Sequence, residues 1–194
     1  MDISIKAAGI SIEVRETSLT TVLSQQIECV QRETFQSANA TIANCSHTKI
    51  LADGTRVPGS DPYTDHIALI DHATGLMWAV ESLGNPGEAD KGQPHEKCAQ
   101  RCAELRLLGH DDWRLPTHGE LSALVDVTRR DPAIDTNLFP RVLPRWHWTS
   151  TPLVDSDGTA SASGAWDVSF YSGCVDSSHR DGYGFALAVR RSGQ

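Results

Sequence analysis

A chain of 194 residues is long enough for one sizeable domain, or one domain with an appendage. Its 17 basic and 25 acidic residues leave a net charge of −8, which excludes general affinity for DNA or RNA, because that binding rests on Lys and Arg neutralising phosphates. No apolar run approaches the ~20 residues of a membrane-spanning helix, and the opening MDISIKAAGISIEV alternates in polarity, so neither membrane insertion nor a signal peptide is expected.

In chain order, Ile3, Ile5, Ile10, Ile12 and Val14 alternate around Gly9, which predicts two short strands or one kinked strand. Ser18 can cap a helix whose apolar stripe is Leu19, Val22, Leu23, Ile27 and Val30, ending near Glu33. That helix is too short and too narrow in its apolar face to stand alone, so it should dock onto the main domain or onto copies of itself. Residues 37–62 are rich in Ser, Thr, Asn, Gly and Pro and read as loop or linker. The expected division is therefore residues 1–60, a strand and helix segment for anchoring or oligomerisation, and residues 61–194, the main domain.

From His66 the texture changes. HIALIDHATGLMWAV reads as a hairpin with its turn at His72–Gly75. Pro94 to Leu107 reads as a helix, with proline tolerated in the first turn and Gly109 just beyond the end. In DWRLPTHGELSALVD, Thr117 and Glu120 form a capping-box pattern, and Leu121, Leu124, Val125 and Thr128 fall on one helical face. Asp131-Pro132 stops this helix, and the next stretch is irregular with further prolines. Trp146, Trp148 and Thr149 suggest a strand, Asp155 to Gly164 a flexible loop, and Ala165–Tyr171 and Gly184–Arg190 two strands joined by a polar loop, Ser172–Tyr183. The order β-β-α-α-β-β-β is an α+β layout with antiparallel strands. All five tryptophans lie between Trp78 and Trp166, which puts the main core there.

Five cysteines, an odd number without a secretory signal, do not describe a disulfide scaffold. His95, Cys98 and Cys102 could project from one helical side toward zinc, but Cys98, Cys102 and Leu105 also form an apolar stripe at i, i+4 and i+7, the reading we adopt. No metal or cofactor is expected. Arg129, Arg130, Arg141 and Arg145, with Arg190 and Arg191 later, allow a small anion site but not a polyanion track.

The succession IDHATGLMWA, LLGHDDWRLPTHGELSALVD, DPAIDTNLFP, WTSTP, AWDVSFYSG and FALAVRR resembles the Lcl C-terminal-like domain family, from near His66 to Arg191. No one piece is specific, but the six in this order are. The resemblance implies a C-type-lectin-like fold in bacterial and phage proteins, distantly similar to the formylglycine-generating sulfatase-modifying domain. In such a fold Trp113–Pro116 would plug the core, with Trp113, Arg114, Trp148 and Trp166 in core roles and the Trp113 indole N–H and Arg114 guanidinium finding partners.

The chain shows no G-x-S-x-G elbow, P-loop or G-x-G-x-x-G. The oxidase relative uses a cysteine pair near its C-terminus, where this chain has Cys174 alone, and the sugar-binding triplets of calcium-dependent lectins are missing. Asp155-Ser156-Asp157-Gly158 begins like a calcium loop but lacks the downstream Glu. The expectation is a non-enzymatic ligand-binding module. Its ligand face is Tyr171, Ser172, Asp176, Ser177, Ser178, His179, Arg180 and Tyr183, a recognition-like mixture of rigid aromatics and short polar groups, with Trp146 and His147 as further candidates. The expected partner is a host-surface glycan or protein receptor, bound by an oligomeric protein on a virion or cell surface; a virion protein assembles in the cytoplasm and needs no export signal. A structural virion component is one alternative, and a formylglycine-generating-type oxidase is the other.

Overall fold

The computed structural model describes residues 3–7, 10–14 and 45–193. The chain divides into two compact units, Met1–Asn44 and Cys45–Gln194. In the first, β1 (Ile3–Ala7) and β2 (Ile10–Val14) form an antiparallel hairpin in which Ile5 pairs with Ile12. Of the sequence expectations for this region, two short strands are what the chain forms; the helix expected after Ser18 lies outside the described residues.

The second unit is α+β, as its pattern predicted. It holds a five-stranded and a three-stranded antiparallel sheet with two short helices. The strands of the larger sheet are β3 (His47–Ile50), β4 (Arg56–Pro58), β5 (Ala68–Asp71), β6 (Leu76–Ala79) and β10 (Val189–Arg191), in the spatial order β10-β6-β5-β3-β4. The expected hairpin is β5–β6. Its turn is set by Asp71, whose carboxylate accepts from the Ala73 amide and the Thr74 hydroxyl, and by Gly75 at φ 67°. β3 and β4 lie in the stretch read as linker, so the compact unit begins at Cys45 and the sheet extends upstream of residue 61. The linker reading failed because β3 buries Thr48 and Lys49. The Lys49 ammonium, fully enclosed, donates to the carbonyls of Asp61 and Tyr63 and to Asn137 Oδ1; burial lowers its pKa while Asp61 and Asp135 oppose the shift.

Residues alternate between the two faces of the larger sheet. Ala68, Ile70, Met77 and Ala79 join a first core with Cys98, Cys102, Trp113 and Trp148; Leu69, Leu76 and Trp78 join a second with Leu121, Ile134, Phe139 and Phe170. Apolar cover on both faces explains why LMWA reads as a continuous apolar run. Helix α1 (His95–Glu104) begins after Pro94 and turns Cys98 and Cys102 into the first core, where burial raises both thiols to about 12. They pack as small hydrophobes, and His95 Nε2 is committed to donating to the Thr149 carbonyl at 2.9 Å.

Helix α2 (His118–Ser122) carries the predicted capping box: the Glu120 amide donates to Thr117 Oγ1 (3.2 Å) and the Thr117 amide to Glu120 Oε2 (2.7 Å). It stops sooner than its stripe suggested. The Asp126 carboxylate takes the Thr128 amide and hydroxyl and the Arg129 guanidinium, a local turn that competes with helix propagation and leaves Thr128 exposed. Arg114 finds its expected carboxylate, forking onto both Glu120 oxygens at 2.8 and 2.7 Å, and holds the Glu120 carboxyl down to about 2. Arg114 is half-buried, not a core residue, and so is Trp166, which lies against His118. Trp113 is in the core, but its indole N–H has no acceptor among the described residues.

This pairing has a measurable consequence. Folding depresses the Glu120 pKa, so its stabilisation is present above about pH 4.5 and is lost as pH falls toward 2. Glu120→Gln should cost about 1 kcal/mol at pH 7, discounted because the Arg114 side chain is 41% exposed, and should flatten the acid limb of the stability curve below pH 4.5 in urea titrations.

The smaller sheet is β7 (Trp146–Val154), β8 (Ala160–Ser169) and β9 (Val175–His179), in that order. The loop expected at Asp155–Gly164 shrinks to a hairpin turn with Gly158 at φ 82°. Asp157 Oδ1 in that turn accepts from Thr159, so the calcium-like tetrapeptide is an ordinary turn. The connection expected at Ser172–Tyr183 contains β9, an edge strand of polar sequence. Of the strand expected over Gly184–Arg190, only Val189 and Arg190 fall in β10. Gly184, Phe185 and Ala186 make single bridges to Gln93, His147 and Leu83, which couple the two sheets.

Candidate functional site

β9 splits the expected ligand face into two groups. Val175, at one end, pairs with Val168, and His179, at the other, faces Gly164. Four residue steps of strand, roughly 13 Å, therefore separate Tyr171 and Ser172 from His179 and Arg180. Along β9, Asp176 and Ser178 are exposed and Ser177 is half-buried; the Asp176 carboxylate accepts from the Ser177 amide at 2.7 Å.

At the far end the chain turns through residues 179–184, and most steps of the turn are tied down. The Arg180 amide donates to the Ser163 carbonyl (2.7 Å) and the Arg180 carbonyl accepts from the His95 amide (2.9 Å). Arg180 Nε reaches the Gly164 carbonyl (3.2 Å), and Nη1 reaches Glu96 Oε1 (2.7 Å), which lowers the Glu96 pKa. Gly182 closes onto His179, and Gly184 exchanges both backbone hydrogen bonds with Gln93. Beneath lies Trp148, whose indole N–H donates to the Gln93 carbonyl at 3.1 Å and whose ring meets His95 edge-on. Gly184 must be glycine, because a Cβ there would come within 2.7 Å of Trp148 Nε1.

This clamped turn presents three side chains. Arg180 faces inward as an anchor, while His179 points out beside Asp181 at 3.5 Å. Tyr183 is 78% exposed. Its ring lines an open cleft of about 880 Å³ with Asn85, Glu88, Lys91, Gly92, Gln93, Pro94 and Lys97. Asn85 Nδ2 donates to Glu88 Oε2 (2.6 Å), Lys91 pairs with Glu88, and Lys97 has no partner among the described residues. The cleft thus offers an aromatic face, amides, a carboxylate and two amines, which suits reversible polar recognition. Asn85, Glu88, Lys91 and Lys97 had escaped the sequence reading. They are scattered along a polar loop and the first turn of α1, and only the 184–93 pairing brings them beside Tyr183.

His147 is not a ligand residue. It is completely buried: its Nδ1–H donates to the Arg145 carbonyl (2.9 Å), its Nε2 accepts from Ser82 Oγ (2.7 Å), and desolvation lowers its pKa to about 4. Reading it as exposed followed from its place between two tryptophans in an irregular-looking stretch; as the second residue of β7 it faces the second core beside Phe170. Trp146, the neighbour on the opposite face, is 40% exposed, and Tyr171 is 46% exposed. A sequence reading also overlooked Asp167. This carboxylate is 2% exposed on β8, one of its oxygens has no hydrogen-bond partner, and burial together with nearby Asp176 raises it to about 6, against a Ser178 hydrogen bond. Cys174 is exposed on the β8–β9 connection, apart from the thiols of the first core. No described helix is long and apolar enough to cross a membrane.

No curated protein matches the chain. The family model for the Lcl C-terminal domain matches residues 68–190, from the first residue of β5 into β10, and takes in both helices, the three-stranded sheet and the clamped turn; the chain therefore belongs to the Lcl C-terminal domain family.

Proposed function

We propose that the protein is a non-enzymatic ligand-binding module of C-type-lectin-like fold, displayed on a virion or cell surface, which recognises a host-surface glycan or protein receptor. Residues 1–44, the segment ahead of the compact unit, would anchor it to other virion or surface proteins and assemble it as a homo-oligomer. The observation that carries this reading is Tyr183: a large aromatic ring held in water by a turn whose backbone is bonded at nearly every step, above a cleft lined with amides and charges. Rigid aromatics flanked by adaptable polar groups are what a recognition surface uses, since little conformational entropy is lost on binding. The non-catalytic reading is supported by how the reactive groups are used. Two thiols are buried and pushed to about 12, and His147 has both ring nitrogens committed to the fold.

Binding of the full-length protein to a printed glycan array and to intact bacterial cells tests it. Tyr183→Ala should weaken binding at least about tenfold with an unchanged melting temperature, as expected of a surface anchor. Undiminished binding by a folded variant would favour the structural alternative, a virion component whose domain only packs against its neighbours.

A further inference from the structure

The larger sheet carries a second cavity, which shares no wall residue with the cleft beside Tyr183. The strand register lines up four residues as direct cross-strand neighbours: Arg191 faces Leu76, Leu76 faces Asp71, and Asp71 faces His47. Directly opposed residues project from one face of a sheet, and Trp78, two positions after Leu76, projects from that face too. Gly119 of helix α2, with Ala123 and Leu124 just after it, completes the walls of a cavity of about 360 Å³.

The hydrogen-bonding groups of these walls are unevenly used. Trp78 is 1% exposed, and its indole N–H has no acceptor among the described residues. Buried donors are nearly always bonded, so an orphan N–H on a residue that lines a cavity points to an acceptor brought by a ligand. The Arg191 guanidinium has no hydrogen bond or ion pair among the described residues, and it lines the same cavity. Two positions along the row lies a carboxylate with capacity to spare. Asp71 accepts one bond on each oxygen, from the Ala73 amide (2.9 Å) and the Thr74 hydroxyl (2.7 Å), which leaves lone pairs for a further donor. Glu120, the other wall carboxylate, already has both oxygens on Arg114.

Arg191 and Asp71 do not pair with each other. Two strand spacings, roughly 10 Å between backbones, separate them, with the apolar Leu76 between. A simple anion would gain the guanidinium but meet Asp71 and Glu120, and a simple cation would meet Arg191. A molecule that carries both charges around an apolar body satisfies the whole row, and the volume lies at the small end of ligand cavities.

We infer that this cavity binds a small zwitterion of the amino-acid class, its carboxylate on Arg191 and the Trp78 N–H, its ammonium on Asp71, and its apolar side chain against Leu76 and Leu124.

Isothermal titration of the full chain with L-leucine and with L-leucyl-L-leucine tests this, and the tighter of the two tells a free amino acid from a dipeptide. N-acetyl-L-leucine, which lacks the ammonium, and L-leucinamide, which lacks the carboxylate, should each bind at least about tenfold more weakly. Arg191 is exposed, so Arg191→Gln should weaken the zwitterion at least about tenfold with an unchanged melting temperature. Asp71→Asn, which keeps an acceptor for the Ala73 amide, should do the same. Tyr183→Ala should bind the zwitterion as the wild type does, which separates this cavity from the cleft. Absence of binding by both zwitterions at millimolar concentration, equal binding by the two blocked derivatives, or indifference to Arg191→Gln would each overturn the assignment.

Discussion

Trp148→Ala should destabilise the second unit by about 3–5 kcal/mol, the range for truncating a large aromatic in a packed core. The ring is 2% exposed and does three things at once. It fills the first core beside Ala165, Ala186 and Ala188; its N–H satisfies the Gln93 carbonyl; and its face is the bed on which Gly182 and Gly184 lie. Removing it opens a cavity and also unseats the turn that holds Tyr183. Trp148→Phe keeps most of the area and loses one hydrogen bond, so it should cost only about 1–2 kcal/mol. Denaturant unfolding of both variants checks the ordering. Trp113→Ala belongs in the same class and should lose stability before it loses binding, because Trp113 is buried and lies in the same core. A loss below 1 kcal/mol for Trp148→Ala would mean the ring is not the support described.

Asp167→Asn should stabilise the protein at pH 7 by about 2–3 kcal/mol and make it more sensitive to acid. Folding raises the Asp167 pKa to about 6, so the stability it contributes is present below its ordinary value near 3.8 and is lost as pH rises through 6. His147 has the opposite sign. Its pKa falls to about 4 on folding, so its contribution is present above its ordinary value near 6.5 and is lost as pH falls through 4. Each shift corresponds to about 3 kcal/mol. In the wild type the two oppose each other between pH 4 and 6.5, while His66, whose pKa burial also lowers, adds to the histidine side, so stability there should rise only modestly with pH. With asparagine at 167 both histidines act unopposed, and urea midpoints should fall by an amount equivalent to at least about 3 kcal/mol as the pH drops across that window. A variant less stable than wild type at pH 7 would show that the Asp167 charge is compensated after all.

The sequence was most readable where local chemistry and periodicity agree. The β5–β6 hairpin follows from an alternating apolar run around Asp71 and Gly75, α2 begins at a capping box, and the ordered likeness of six segments is what the family match over residues 68–190 reports. It was unreadable where polar residues do the work of apolar ones. β3 buries Thr48 and Lys49 because Asn137 and loop carbonyls, brought in by tertiary structure, satisfy the ammonium. β9 exposes nearly its whole length at a sheet edge and so shows no period at all. For the candidate site, Tyr183 and the exposure of Trp146 and Tyr171 could be anticipated from composition, but burial of His147 and the anchoring of Arg180 on Glu96 depend on pairings distant in sequence. The same holds for the cleft residues from Asn85 to Lys97, which become neighbours of Tyr183 only when Gly184 pairs with Gln93.

The claim that the clamped turn after β9 faces the ligand is tested most directly by photocrosslinking. A benzoylphenylalanine placed at 183, and as a control at the exposed Val154 of β7, would be irradiated on intact bacterial cells that bind the wild-type protein. The account predicts a crosslinked cell-surface species from position 183 and none from position 154. Binding that persists while position 183 stays silent, or equal crosslinking from both positions, would contradict it.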